Sequence, residues 1–275
     1  MMRKPLCPPF NVDQAARRKR IRAGMVDRDF PDFEPLDLVA KQQAQMMRRN
    51  AQSSDCRWSA VGQCTADDIC REPNRCQAAC LLGNWASRGD TILDAHDQLM
   101  SHSSQFHLVT VVNWGWARDT GNLYDLKPRS MHRWLQRRIQ HLKGIRGIAC
   151  VEASLNTVGS IELWQGEINL VSTGASYQEL SKALKLSSST PVPKPVMIKA
   201  IQPGDLAHVL AYITKPLPEG RVAYEADNGR QAQRYVRVPS AHLREHDAWR
   251  MSMLMRDRLL VIGMRLAQSG TEKCR

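Results

Sequence analysis

Tyr212 and Lys215 stand three residues apart within Val196–Pro218, VMIKAIQPGDLAHVLAYITKPLP. This stretch reads as a short strand, a tight turn and a helix over Pro203–Lys215. A phenol attacks phosphorus well only once it loses its proton, and its ordinary pKa is about 10. A nearby ammonium favours the phenolate and offsets the charge that builds up on a phosphate under attack. Asp205, His208, Tyr212 and Lys215 recur at intervals of three, four and three, so on a helix they form one polar stripe. Leu206, Val209, Leu210, Ile213 and Leu217 form an apolar one. A solvated helix face carries the same pattern. Pro216 disfavours helical backbone at Lys215, which places the pair on the last turn, where a DNA strand could approach.

Glu167 and Asn169 are two residues apart in Ile161–Val171, IELWQGEINLV, which reads as a strand. Their side chains share one face, and those of Ile168 and Leu170 the other. Two oxygen ligands on one face, helped by Glu152 from the neighbouring strand, suit Mg²⁺ or Mn²⁺. Ordinary polar alternation on a half-exposed strand gives the same spacing. Apolar parity changes near Gln165-Gly166, which predicts a β-bulge there.

Five of the eight cysteines fall in residues 51–90. Cys64, Cys70, Cys76 and Cys80 are spaced C-x5-C-x5-C-x3-C, a set of four soft ligands that could hold Zn²⁺ if Cys76 and Cys80 share a helical turn. The other reading is four small buried hydrophobes.

The elements that must position these groups follow the chain in order. Residues 1–50 read as a basic, flexible arm: Arg17, Arg18, Lys19, Arg20 and Arg22 cluster, and FPDFEPLD interrupts any helix. Residues 51–104 form the Cys-rich segment. From Phe106 the pattern is regular. FHLVTVVNW is a strand, Ala117–Arg129 is turn-rich, and Ser130–Lys143 is an amphipathic helix with Met131, Leu135, Ile139 and Leu142 on one side. Arg133, Arg137 and Arg138 lie off that stripe and form a basic, DNA-binding surface. Strand Arg146–Leu155, loop Asn156–Ser160, strand Ile161–Val171, helix Ser176–Leu186, the linker SSSTPVPKP and strand Val196–Ile201 lead to the Tyr212 helix. The order β-α-β-β-α-β-α over 105–218 predicts an α+β fold, a mainly antiparallel sheet with packed helices. Residues 219–275 read as a hairpin around Asp227-Asn228-Gly229, then a basic helical extension over Ala241–Gln268.

The charge balance is 39 Lys+Arg against 27 Asp+Glu, net +12, which points to a polyanion partner. No run of about 18 apolar residues spans a membrane. MMRKPLCPPFNVDQ carries no apolar core of a secretory signal, so the cysteines are expected reduced or metal-bound and the protein cytoplasmic.

FHLVTVVNW, VEASL followed by ELWQGEINLV, and AYITK together resemble the HUH endonuclease superfamily, particularly the rolling-circle replication initiators (Rep) of bacterial plasmids. The basic tail ending RDRLLVIGMRL is similar to helical extensions of some plasmid Rep proteins. The resemblance implies a metal-dependent nickase that binds single-stranded or origin DNA. In that family a helix-borne tyrosine cleaves one strand, forms a 5′-phosphotyrosyl link and frees a 3′-OH for synthesis by the host replication machinery. It assigns the nucleophile to Tyr212, with Lys215 beside it. Where the family has His-hydrophobic-His, this chain has Glu167-Ile168-Asn169, and no His-x-His occurs elsewhere. A DNA-binding replication or regulatory protein of the same fold without cleavage, and a single-tyrosine transposase, share these features.

Overall fold

The computed structural model describes residues 19, 21–25, 33–64, 77–186, 194–225 and 231–265. After a helical stretch at 21–25 come α1 (Leu36–Arg49), α2 (Arg57–Gly62) and α3 (Leu81–His102). Then come β1 (Phe106–Asp119), α4 (Pro128–Ile139), β2 (Arg146–Val158), β3 (Ile161–Thr173), α5 (Tyr177–Leu184), β4 (Val196–Ile201) and α6 (Leu206–Ile213). The chain closes with β5 (Gly220–Glu225), β6 (Gln231–Val236), α7 (Ser240–Met251) and β7 (Leu259–Ile262).

The fold is α+β with a mostly antiparallel seven-stranded sheet. Six strands run in the order β4-β1-β3-β2-β5-β6, and β7 pairs with β2. Among the described residues, β2–β5 is the one parallel pair. The expected β-α-β-β-α-β-α order is present from β1 to α6.

Period-two side-chain alternation divides the sheet into two faces. Ile148 of β2 and Val171 of β3 pack with α1, α3 and α6 in one core. Ala149, Val151, Ile168 and Leu170 pack with α4 and α5 in the other. Each fully buried Leu, Ile or Val contributes about 1.5–3 kcal/mol, so both faces hold β3 in place. Its central position follows: β1 and β2 flank it in long antiparallel ladders.

Several expectations need correction. Leu36–Arg49, placed in the flexible arm, forms α1, which buries Leu36, Val39 and Met46 in the first core. Ile21 and Met25 also enter that core, with Ile21 fully buried against α3. The loop between β2 and β3 shrinks to Gly159-Ser160, a two-residue hairpin turn that Gly159 makes at φ +61°. The bulge lies in β1, not β3. Val112 pairs with Glu167 and Ala117 with Gln165, so residues 113–116 loop out opposite Gly166, while the β2–β3 ladder runs unbroken. A Cβ on Gly166 would lie 2.7 Å from Leu126 Cδ1 and 3.1 Å from Trp116 Cβ, so a larger residue there would crowd the bulge.

The basic tail does not form one long helix. It gives α7, a short 3₁₀ turn over Met255–Asp257, and then strand β7 on the open edge of β2. The apolar run Leu259-Leu260-Val261-Ile262 fits either structure locally, and the unpaired backbone of Gly147–Cys150 decides for a strand. The hairpin after Pro218 is present as β5–β6, with its turn outside the described residues.

Candidate functional site

The site lies on the sheet face that carries α3 and α6. Helix α6 is shorter than expected. It starts after a 3₁₀ turn at Pro203–Asp205, ends at Ile213, and leaves Lys215 beyond it with its backbone N–H on the Tyr212 carbonyl (3.2 Å). Leu206, Ala207, Leu210, Ala211 and Ile213 are buried, and Tyr212 is half-buried at the rim.

The carbonyls at the end of this helix have no partners within it, and buried arginines take them. Arg88 of α3, 2% exposed, donates to Ala211 O (3.0 Å) and Thr214 Oγ1 (3.1 Å). It is itself paired with Glu34 at 2.6 Å. Arg258 donates to Lys215 O (3.0 Å). The Tyr212–Lys215 turn is therefore anchored from below at both ends.

Beneath Tyr212, the register brings the expected strand residues together. Glu152 stands opposite Glu167, and Thr110 opposite Asn169. Asn169 donates from Nδ2 to Glu152 Oε2 (3.2 Å) and accepts at Oδ1 from Thr110 Oγ1 (2.7 Å). Ser154 Oγ donates to Glu167 Oε1 (2.7 Å). Arg221 of β5 donates from Nη2 to Glu167 Oε1 (2.9 Å) and from Nη1 to Oε2 (3.3 Å), and reaches Glu219 Oε2 at 3.1 Å. Lys215 pairs with the other oxygen of Glu219 and holds its Nζ 3.9 Å from the centre of the Tyr212 ring.

Thr110, Glu167, Asn169, Arg221 and Tyr212 line one open cavity of about 210 Å³, whereas Glu152, Ser154, Lys215 and Glu219 line a separate pocket. The open cavity reaches from Lys199 on β4 across Thr110, Asn169 and Glu167 to Arg221 and Tyr235, with Tyr212 above. Tyr235 is 71% exposed, a ring available for stacking.

The electrostatics differ from the expectation in one respect. Burial pushes the Tyr212 hydroxyl above its ordinary range, and the pull of Lys215 toward the phenolate does not overcome it. Burial also raises the Glu152 carboxyl to about 8, against the opposing pull of Lys215. Burial weakens the Lys215 ammonium, but Glu152 and Glu219 outweigh that and hold it charged. Arg221 likewise stays charged beside Glu167 and Glu219 despite burial.

The three proposed oxygen ligands thus meet, but protein donors already occupy them. Glu152 Oε1 is the one side-chain oxygen among them without a hydrogen-bond partner. Among the described residues, no group of three or more His, Cys, Asp or Glu side chains is placed to hold a metal ion. Glu167, Asn169 and Glu152 do not fit Mg²⁺ or Mn²⁺ as arranged, because a guanidinium lies on the carboxylate that would lead the set.

For the zinc set, Cys70 and Cys76 lie outside the described residues. Cys64 and Cys80 are buried on either side of Gln43 of α1, which donates to Cys64 O (3.2 Å) and accepts from Leu82 N (3.1 Å). The Cys80 thiol also caps α3, accepting from Gly83 N at 3.3 Å.

The basic residues divide. Arg17, Arg18 and Arg20 lie outside the described residues, and Lys19 and Arg22 are exposed. Arg133, Arg137 and Arg138 are exposed on α4, which packs through Met131, Leu135 and Ile139 on the opposite face of the sheet from Tyr212. That surface is separate from the cavity.

Sequence reasoning missed Arg221, Glu219, Ser154 and Thr110. The nearest signal was Glu219-x-Arg221 directly after Pro218. Only the parallel pairing of β5 with β2 brings that pair to Glu167. Among the described residues, no helix is long and apolar enough to cross a membrane. Comparison with family models, curated proteins and solved structures gives no match.

Proposed function

We propose that this protein nicks one DNA strand by transesterification, with Tyr212 as nucleophile, and so initiates replication of the rolling-circle type. Tyr212 Oη bonds to phosphorus and the P–O3′ bond breaks. The phenol gives up its proton and the 3′ oxygen leaves as a hydroxyl, so a 5′-phosphotyrosyl link and a free 3′-OH result with no water consumed. The observation that carries this reading is the convergence of Tyr212 with Glu167 and Asn169, from the central strand, around one open cavity, with the Lys215 ammonium against the Tyr212 ring. Lys199 and Arg221 supply positive charge for a phosphate there, and Tyr235 offers a ring for an unpaired base. The net charge of +12 fits the same partner.

A second reading, DNA binding without cleavage, draws on the raised pKa of the Tyr212 hydroxyl. Incubation with a labelled single-stranded oligonucleotide pool separates the two. The nicking reading expects an SDS-resistant protein–DNA adduct that disappears in Tyr212→Phe. The binding reading expects salt-sensitive retention of DNA that Tyr212→Phe leaves unchanged, with no adduct.

A further inference from the structure

We propose that Arg221 takes the place of a divalent cation in this site: its guanidinium is the positive charge that meets the scissile phosphate, and the site takes up no Mg²⁺ or Mn²⁺. This rests on the reading of the cavity as a phosphate-handling site.

Arg221 and Tyr212 line the same cavity. A divalent ion held by β3 would need the Glu167 carboxylate, which is 2% exposed and has both oxygens engaged by Arg221 in a fork at 2.9 and 3.3 Å. Ser154 adds a third hydrogen bond to that carboxylate. The neighbouring carboxylate, Glu219, is shared between Arg221 and Lys215. Asn169 has given its oxygen to Thr110. A cation entering here would have to displace a buried, bidentate, charge-assisted pair, the strongest class of protein hydrogen bond.

Arg221 is also equipped to meet a phosphate. Two carboxylates fix the plane of its guanidinium, so little side-chain freedom is lost when a ligand binds. Its Nε–H is buried and has no hydrogen-bond partner in the protein. A planar fork of donors matches phosphate oxygens as an ammonium does not. A purely structural ion pair tying β5 to β3 would use the same Arg221–Glu167 contact, so the test must read the cation and the phosphate directly.

The test uses the full chain and Mn²⁺ as the probe, with free Mn²⁺ followed by electron paramagnetic resonance. The wild type is expected to leave the free-ion signal undiminished. Arg221→Gln is expected to take up Mn²⁺ through the released Glu167 and Glu219, and Arg221→Gln with Glu167→Gln to lose that uptake. Uptake of Mn²⁺ by the wild type that Mg²⁺ competes away and Glu167→Gln abolishes would overturn the inference. Should the variants fail to fold, the wild-type titration decides by itself. Binding of a labelled single-stranded oligonucleotide in EDTA reads the phosphate contact. Arg221→Gln is expected to weaken it about tenfold and Arg221→Lys to recover part of the loss, whereas equal binding by Arg221→Gln would overturn the role. Adduct formation of equal extent in EDTA and in Mn²⁺ supports the inference, and an adduct confined to Mn²⁺ overturns it. Absence of an adduct in both conditions counts against the tyrosine reading, and the Mn²⁺ titration still decides on Arg221.

Discussion

Lys215 holds its Nζ 3.9 Å from the centre of the Tyr212 ring while its ammonium pairs with Glu219. The contact is a cation–π arrangement on the ring face, and Glu219 keeps the lysine there. In the nicking reading, Lys215 stabilises the charge that develops at Tyr212. Replacing it with methionine keeps the apolar stem and removes the charge. Lys215→Met is expected to slow adduct formation about 100-fold, with oligonucleotide affinity changed much less. Single-turnover adduct kinetics beside anisotropy titrations check this. Equal loss in both would assign Lys215 to binding alone.

Arg88 anchors the end of the Tyr212 helix without lining the cavity. It bonds Ala211 O and Thr214 Oγ1 at the end of α6 and is paired with Glu34. Arg88→Met leaves Glu34 without its partner and Thr214 Oγ1 without its donor, while Ala211 O keeps the Thr214 hydroxyl (3.2 Å), and is expected to cost about 3 kcal/mol of stability. It should also lower the adduct rate in the folded fraction. Denaturant unfolding and adduct rates below the transition measure the two effects separately. An unchanged adduct rate would remove the positioning role.

Glu152 sets a pH dependence of stability. Its folded pKa is raised to about 8 from the usual 4.5, first by burial. The folded state therefore holds this proton more tightly than the unfolded state does. The stabilisation is fully present below about pH 4.5 and is lost as pH rises toward 8, with a slope of up to about 1.4 kcal/mol per pH unit. Glu152→Gln is expected to flatten that fall between pH 5 and 8. Urea midpoints across the range check the prediction. His132, held near 4 chiefly by burial, gives the opposite slope below its ordinary 6.5, so the comparison is made between variants rather than on the wild type alone.

Much of this arrangement is legible in the sequence. The two-residue spacing of Glu167 and Asn169 placed them on one face, and the element order placed Tyr212 after the fourth strand. Both are local properties, set by side-chain period and turn residues. Arg221 was not legible, because it reaches Glu167 through a parallel pairing of strands far apart in sequence. The β1 bulge was assigned to β3 for a related reason. The odd-numbered Ile161 and Leu163 suggested a shift of face, but they lie at the less buried tip of the hairpin, where alternation is not enforced. The strand β7 depended on an open edge of β2, which no local pattern announces.

Gln43 links α1 to the segments that carry Cys64 and Cys80. It is 3% exposed, donates to Val61 O (3.1 Å) and Cys64 O (3.2 Å), and accepts from Leu82 N (3.1 Å). Gln43→Leu keeps the volume and leaves Cys64 O and Leu82 N buried without this partner, while Val61 O keeps its bond from Cys64 N (3.2 Å). A loss of about 2–4 kcal/mol is expected by denaturant unfolding, since each stranded group costs about 1–3 kcal/mol. A loss below about 1 kcal/mol would mean that water reaches these groups instead.

The basic face of α4 lies across the sheet from Tyr212. Arg133→Ala, Arg137→Ala and Arg138→Ala together are expected to leave adduct yield at saturating oligonucleotide unchanged, and to reduce the salt dependence of binding by up to about three phosphate contacts if DNA wraps to that face. Salt titrations read the slope. A loss of adduct yield at saturation would place this helix in the site.

The most direct test of the whole account is the covalent state of Tyr212. After incubation with a labelled single-stranded oligonucleotide pool, the denatured protein is digested and the peptide containing Tyr212 is examined by mass spectrometry. The account predicts a nucleotide phosphate on Tyr212 Oη, absent in Tyr212→Phe. An unmodified Tyr212, with DNA bound to the folded protein but released by SDS, would contradict it.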